Sequence, residues 1–331
     1  MLNPLVSILS LFFVHWLSGD PTAQAAAPLA KIVVTTASQT EREAALYVAQ
    51  DQNFFRRHGV DVALVHVRSG LVGTAAVSTG ESQLHWGSVS NANLGAISEG
   101  ADLVFVAGFI NKLTGTIVAH PRISNPSELK GKFIGLNSLS GGGWLFTMLA
   151  LDHWNLAVER DRIQIRTLGD QPVIAQGLLT GIVDAAYLGY TYGKIVQSQG
   201  FRLLADLETL PIPYQGSGII ARRSFVSSSP AMIESVLRGL LDSVQFIREP
   251  RNKSEVLNSL VRGIRLARME DAEEGYRRVI KLYEQKIYPS VDGIRNSIRL
   301  LGASNDKVRR LKAEDLVVDG ITRKLAREGR F

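Results

Sequence analysis

The stretch "FIGLNSLSGGGWLFTMLALDHWNL", Phe133 to Leu156, passes from an apolar strand-like segment through two serines and three consecutive glycines into an apolar helix-like run. A strand that turns through a flexible loop into a helix is the repeating unit of an α/β sheet, and this places the chain in that class. Glycine is an entropically poor residue at which to begin a helix. Its use here has two readings, a loop whose backbone N–H groups close on an anion or a tight strand-to-helix turn.

The same alternation extends outward in both directions. Toward the N-terminus, "KIVVTTA" (Lys31 to Ala37) is a β-branched strand, and "EREAALYVAQDQNFFRRHG" (Glu41 to Gly59) has helical periodicity ending in basic residues and glycine. "VDVALVHV", "QLHWGSV" and "LVFVAGF" read as further strands separated by helices "GTAAVSTG" and "NANLGAISEG". After Asn111 the succession starts again with strands "GTIVAH", "FIGLN", "IQIRTL", "VDAAYLG" and "FRLLADL", followed by "GSGIIARRSF". From Pro230 to Phe331 the pattern is almost entirely helical, with apolar residues recurring at three and four. The expected organisation is a discontinuous lobe I from residues 30–112 and 223–331, with lobe II, 113–222, inserted in it.

Composition excludes several classes. With 331 residues, 45% hydrophobic and 21% charged, the chain is an ordinary globular protein with enough length for two domains. The net charge is +6, but the basic residues after Arg222 interleave with acidic ones at helical spacing, as in "EEGYRRVIKLYEQK". That pattern describes solvated helix faces and not a nucleic-acid stripe. The absence of cysteine excludes disulfides, thiolate nucleophiles and iron–sulfur clusters. At the N-terminus, the apolar run "LVSILSLFFVHWL" precedes a small-x-small site at Ala23-Gln24-Ala25, so residues 1–26 are expected to be a signal peptide cleaved near Ala25 to Ala27. The run is shorter than the ~20 residues that span a bilayer. The mature chain is therefore expected to be exported and soluble.

Catalytic and metal constellations are not evident. The six histidines lie far apart without HxH or HxxxH spacing, and no phosphate-gripping, dinucleotide-binding or nucleophile-elbow motif is found. No metal and no cofactor is expected. What recurs is small polar residues where strands end: Ser38-Gln39-Thr40, Ser69-Gly70, Ser88 to Asn91, Asn111, Ser138 to Gly143, Gly169 to Gln171 and Tyr187 to Tyr192. Loops at the strand ends of an open α/β sheet are where ligands bind. Taken singly each such loop is better explained by capping and turn formation, but together they favour binding over catalysis.

At this point the chain resembles a known family. "ALYVAQDQNFFRRHGVDVALVHVRSG", "STGESQLHWGSVSNANLGAISEGADLVFVAGF", "ISNPSELKGKFIGLNSLSGGGWLFTMLALDHWNL", "LLTGIVDAAYLG" and "LKAEDLVVDGITRKLAREGRF" are similar, in order and spacing, to the solute-binding proteins of ABC importers for sulfonate, taurine, nitrate and thiamine-precursor ligands. The resemblance implies an α/β type II periplasmic-binding-protein fold, two α/β lobes with a hinge and a central ligand cleft. It also implies a periplasmic protein that captures a small molecule such as a sulfonate, nitrate or pyrimidine and passes it, as a monomer, to an ABC transporter permease in the inner membrane. The family's ligand loops fall on Gln39, Ser69, Gly70, Ser88, Ser90, Asn111, Ser138, Ser140, Gly141, Gly142, Gly143, Gln171, Tyr187 and Tyr190. Relatives that are enzymes, a thiamine-pyrimidine synthase and a desulfinase, rely on cysteine, which this chain lacks.

The loops themselves contain no Arg or Lys, apart from Arg68 and Lys112 beside them. Helix N-termini and hydroxyls then suit a monoanion or a neutral polar solute, with Trp144, Tyr187, Tyr190 and Tyr192 as an aromatic wall.

Overall fold

A computed structural model of the chain describes residues 29–331. The expected signal segment, 1–26, lies outside the described residues. Among the described residues, ten strands form two five-stranded sheets. The first contains β1 (Ala30–Thr36), β2 (Val60–His66), β3 (Leu84–Gly87), β4 (Leu103–Gly108) and β10 (Gly218–Arg222), in the order β2-β1-β3-β10-β4. The second contains β5 (Thr116–Ala119), β6 (Phe133–Leu136), β7 (Gln164–Thr167), β8 (Ala185–Leu188) and β9 (Arg202–Asp206), in the order β7-β6-β8-β5-β9.

The two sheets repeat one plan. In each, a central strand pairs in parallel with the next two strands in sequence, β1 with β2 and β3, and β6 with β7 and β8. Beside each parallel set lies one antiparallel strand, β10 between β3 and β4, and β5 between β8 and β9. These are the strands by which the chain changes lobe: it enters the second sheet on β5 and returns to the first on β10. Strand β10 thus pairs within the first sheet, whereas the division drawn from sequence at residue 222 lies after it.

The segment Glu41 to Gly59, expected as one helix, is broken. It forms a 3-10 turn (Glu41–Glu43), a helix (Ala44–Asp51) and a short helix (Phe54–Arg57). Asn53 between them is left-handed, with φ of 58°, a conformation that Asn tolerates better than most residues. The break lets both Phe54 and Phe55 enter the core.

The C-terminal helices pack mainly on the first lobe, and the helix Glu273–Leu282 also meets the second-lobe helix Tyr190–Gln197. The helices Pro230–Arg248 and Lys253–Ile264 lie on Ala44–Asp51, burying Leu237, Leu240, Val256 and Leu260 against Leu46 and Val48. A second apolar cluster joins Leu94 and Phe105 of the first lobe with Ile134, Phe146 and Leu149 of the second, and Ile294 and Ile298 of the helix Val291–Gly302 close it. That helix also sets the return crossing. A Cβ at Gly293 would collide with the backbone of Tyr214 and Gln215, and the Ser290 N–H donates to Gln215 Oε1 at 2.6 Å.

Backbone cannot yield as a flexible side chain can, so Gly293→Ala is expected to cost about 1–3 kcal/mol in a urea titration. Gly320, whose added Cβ would meet nothing within 4 Å, is the matched control. A Gly293→Ala midpoint equal to that of Gly320→Ala would contradict this packing.

Candidate functional site

The carboxyl ends of the parallel strands of both sheets open on one gap. Thr36, Ala37 and Ser38 arrive from β1, Trp86 to Ser88 from β3, Asn137 from β6 and Tyr187 from β8, and they line a cavity of about 50 Å³. This is the place where open α/β sheets bind ligands, here supplied from two sheets at once. The N-termini of the helices Gly70–Thr79 and Gly142–His153, one from each lobe, also reach it.

The three glycines meet three different neighbours. A Cβ at Gly142 would collide with Ser88 Oγ across the cleft. A Cβ at Gly143 would lie 3.0 Å from the Tyr187 ring, and Gly141 Cα sits 3.3 Å from the Cβ position of Gly70 in the opposite lobe. Asn91 Nδ2 fastens the same loop from the first lobe by donating to the Leu139 carbonyl at 2.7 Å. A side chain at Gly142 or at Gly70 would press on the opposite lobe, one at Gly143 on the Tyr187 ring of its own lobe, and the backbone of Gly141 to Gly143, which no side chain caps, lines the cavity.

The 3-10 turn Glu41–Glu43 supplies the electrostatics. Its three charged side chains are all buried, and each does something different. Glu41 crosses to the second lobe and caps the helix Tyr190–Gln197, accepting from the Tyr190 N–H at 2.9 Å and the Thr191 hydroxyl at 3.0 Å. The carboxylate there is matched by the positive end of that helix. Glu43 folds back on its own turn as a capping box, accepting from the Thr40 N–H at 3.1 Å and the Thr40 hydroxyl at 2.9 Å. Burial raises its pKa, with Arg42 and the Thr40 bonds acting against that.

Arg42 lies between them and points its charge into the cavity wall. Its Nη2 donates to Ser38 Oγ at 2.9 Å and its Nε to Thr40 Oγ1 at 3.3 Å, and its guanidinium stands 5.1 Å from the centre of the Phe146 ring of the second lobe. No carboxylate comes within ion-pair distance of it among the described residues. Burial opposes its charge, but the nearby carboxylates of Glu43 and Glu41 act against burial, and its pKa is held above the ordinary value.

The remaining polar groups stay neutral. Burial pushes the Tyr187 phenol up to about 12. It pushes His85 down to about 4, while Nδ1 stays bonded to the Thr35 carbonyl at 3.1 Å. The His85 ring fits only because Gly73 and Gly87 carry no Cβ. Trp86 Nε1, Thr36 Oγ1, Asn137 Oδ1 and the Tyr187 hydroxyl are buried without a hydrogen-bond partner. Buried polar atoms are ordinarily paired, and four of the eleven unpartnered ones among the described residues gather around this one cavity.

Of the residues singled out from sequence, the structure brings Gly70, Ser88, Ser90, Gly141, Gly142, Gly143, Gln171 and Tyr187 to the cavity wall. The others go elsewhere. Ser69 caps the helix Gly70–Thr79, and Asn111 bonds to the Tyr288 carbonyl at the lobe crossing. Trp144 packs on the second apolar cluster, which removes it from the expected aromatic wall. Tyr190 turns its hydroxyl to Glu208, at 3.1 Å, and its ring lies under Arg278. Tyr192 is likewise buried in the core. Gln39 is half-buried off the wall, and Ser138 and Ser140 stay in the loop behind it. The expectation of a wall without a cation is corrected by Arg42. The Thr40-x-x-Glu43 capping signature was the available signal, because it turns this segment inward.

The family model described as "NMT1/THI5 like" matches residues 41–253. No curated protein matches the sequence. The alkanesulfonate-binding protein SsuA from Xanthomonas axonopodis pv. citri, bound to MOPS, is 18% identical, with 89% of this chain and 100% of that chain covered and a TM-score of 0.71. The periplasmic nitrate-binding protein NrtA from Synechocystis is 12% identical, covering 91% and 89%, with a TM-score of 0.70. The desulfurization enzyme DszB is 14% identical, covering 90% and 99%, with a TM-score of 0.60. At these identities the likeness establishes the periplasmic-binding-protein fold.

His85 carries a pH prediction. Its folded pKa of about 4 lies below the ordinary 6.5, so the unfolded chain binds the extra proton first as pH falls. Its contribution is whole above pH 6.5 and is lost progressively between 6.5 and 4, on the order of 3 kcal/mol. The melting temperature of the wild type is expected to fall more steeply across that window than that of His85→Gln. Parallel curves would contradict a neutral buried imidazole.

Proposed function

The chain belongs to the NMT1/THI5-like family, and from that premise we propose that it is the extracytoplasmic solute-binding protein of an ABC import system. It captures a small anionic solute between its two lobes and delivers it to a membrane permease. The observation that carries this reading is Arg42, a guanidinium buried at the lobe interface with no carboxylate partner among the described residues and with orphaned donors on the same wall. A buried charge is stabilised by a counter-charge, and an oxyanion supplies one together with acceptors for Trp86, Thr36 and Tyr187. Capture from two lobes gives the closed form contacts that an open form lacks, which is how a ligand shifts such an equilibrium.

The proposal places the protein in the periplasm as a monomer that uses neither cofactor nor nucleic acid. Binding without chemistry is the better reading because no cysteine is available as a nucleophile and His85, the histidine on the wall, is held by Thr35. Calorimetry of the mature protein against nitrate, alkanesulfonates, carboxylates and neutral pyrimidines tests the reading. An anion is expected to bind, and Arg42→Gln is expected to weaken it at least about 100-fold while the melt stays cooperative. A neutral pyrimidine bound equally well by both proteins would refute it.

A further inference from the structure

The wall that carries the donors also carries acceptors, and a simple anion leaves them unmatched. Glu43 is wholly buried beside Arg42 on the same turn and lines the same cavity. Both of its hydrogen bonds, from the Thr40 N–H and hydroxyl, go to Oε2, and Oε1 receives none among the described residues. His85 lines the same cavity, its Nδ1 3.1 Å from the Thr35 carbonyl and 3.0 Å from the Thr35 hydroxyl. Arg42 takes no ion pair with Glu43, so the charges of the two side chains are both open to a third party.

We propose that Glu43 is a specificity-determining residue, which makes the cleft select anions that carry their own N–H or O–H donor next to the anionic group. The inference rests on the anion reading and narrows it to a ligand class. A donor-bearing anion gives its oxygens to Arg42, Trp86 and Tyr187 and its proton donor to Glu43. A donor-free anion of the same size sets negative oxygens against a buried carboxylate, where repulsion is poorly screened. A site built to bond a ligand hydroxyl or amine rejects the analogue lacking it, because its own buried group is then left unpaired.

Two matched pairs test this by calorimetry on the full mature protein at pH 8: hydrogencarbonate against nitrate, and 2-hydroxyethanesulfonate against propanesulfonate. Within a pair the donor-bearing member is expected to bind about 10- to 100-fold more tightly. Glu43→Gln keeps an oxygen for Thr40 and turns an amide N–H toward the ligand. It is expected to erase or invert the preference, with nitrate or propanesulfonate gaining. Equal affinities within the pairs, unchanged in Glu43→Gln, overturn the inference and leave the anion reading standing. Tighter binding of the donor-free members overturns it as well. Binding of none of the four, with neutral solutes bound instead, overturns both readings. Where the variant does not melt cooperatively, the wild-type ratios alone decide.

Discussion

A guanidinium taken out of water loses several kcal/mol of solvation, and a fold keeps it charged only by surrounding it with compensating groups. Arg42 is in that position, on a three-residue turn that both lobes enclose. Its neighbours in sequence are committed in opposite directions, Glu41 to a helix of the second lobe and Glu43 to its own cap. Neither neutralises it by contact. The cavity wall and the lobe interface are both arranged around that one charge.

The turn also joins binding to shape. Arg42 meets the ligand cavity and the Phe146 ring of the second lobe, while Glu41, one residue earlier, holds the Tyr190–Gln197 helix of that lobe. Opposite it, the glycine loop lets the two backbones approach at Gly70 and Gly141. The two features act on the same gap from either side. The charged turn bonds across the gap, and residues without side chains let the two backbones meet there.

Much of this was legible in the sequence, and the remainder has identifiable physical reasons. Strand and helix succession followed from apolar periodicity, a local property, and so did the two-lobe plan with helices at the C-terminus. The place of β10 did not follow, because "GSGIIAR" reads as a strand without saying which sheet it joins, and pairing partners lie more than a hundred residues away. Eight loop residues reach the cavity because strand ends converge there in any such sheet. Arg42 was missed because "TEREAA" has the composition of a solvated helix start, and only the other lobe, far along the chain, covers it. Trp144 and Tyr190 sit on cleft-side elements but turn into the core or toward Asp206 and Glu208, and rotamers of that kind leave no trace in spacing.

The most direct test of the central claim is the electron density at Arg42 in crystals of the mature protein grown with the tightest-binding solute. The account predicts an anionic group bonded to the Arg42 guanidinium between the two lobes, with Gly141 to Gly143 against it. Density showing the solute elsewhere, with Arg42 turned onto Glu41 or Glu43 as an internal ion pair, would contradict it.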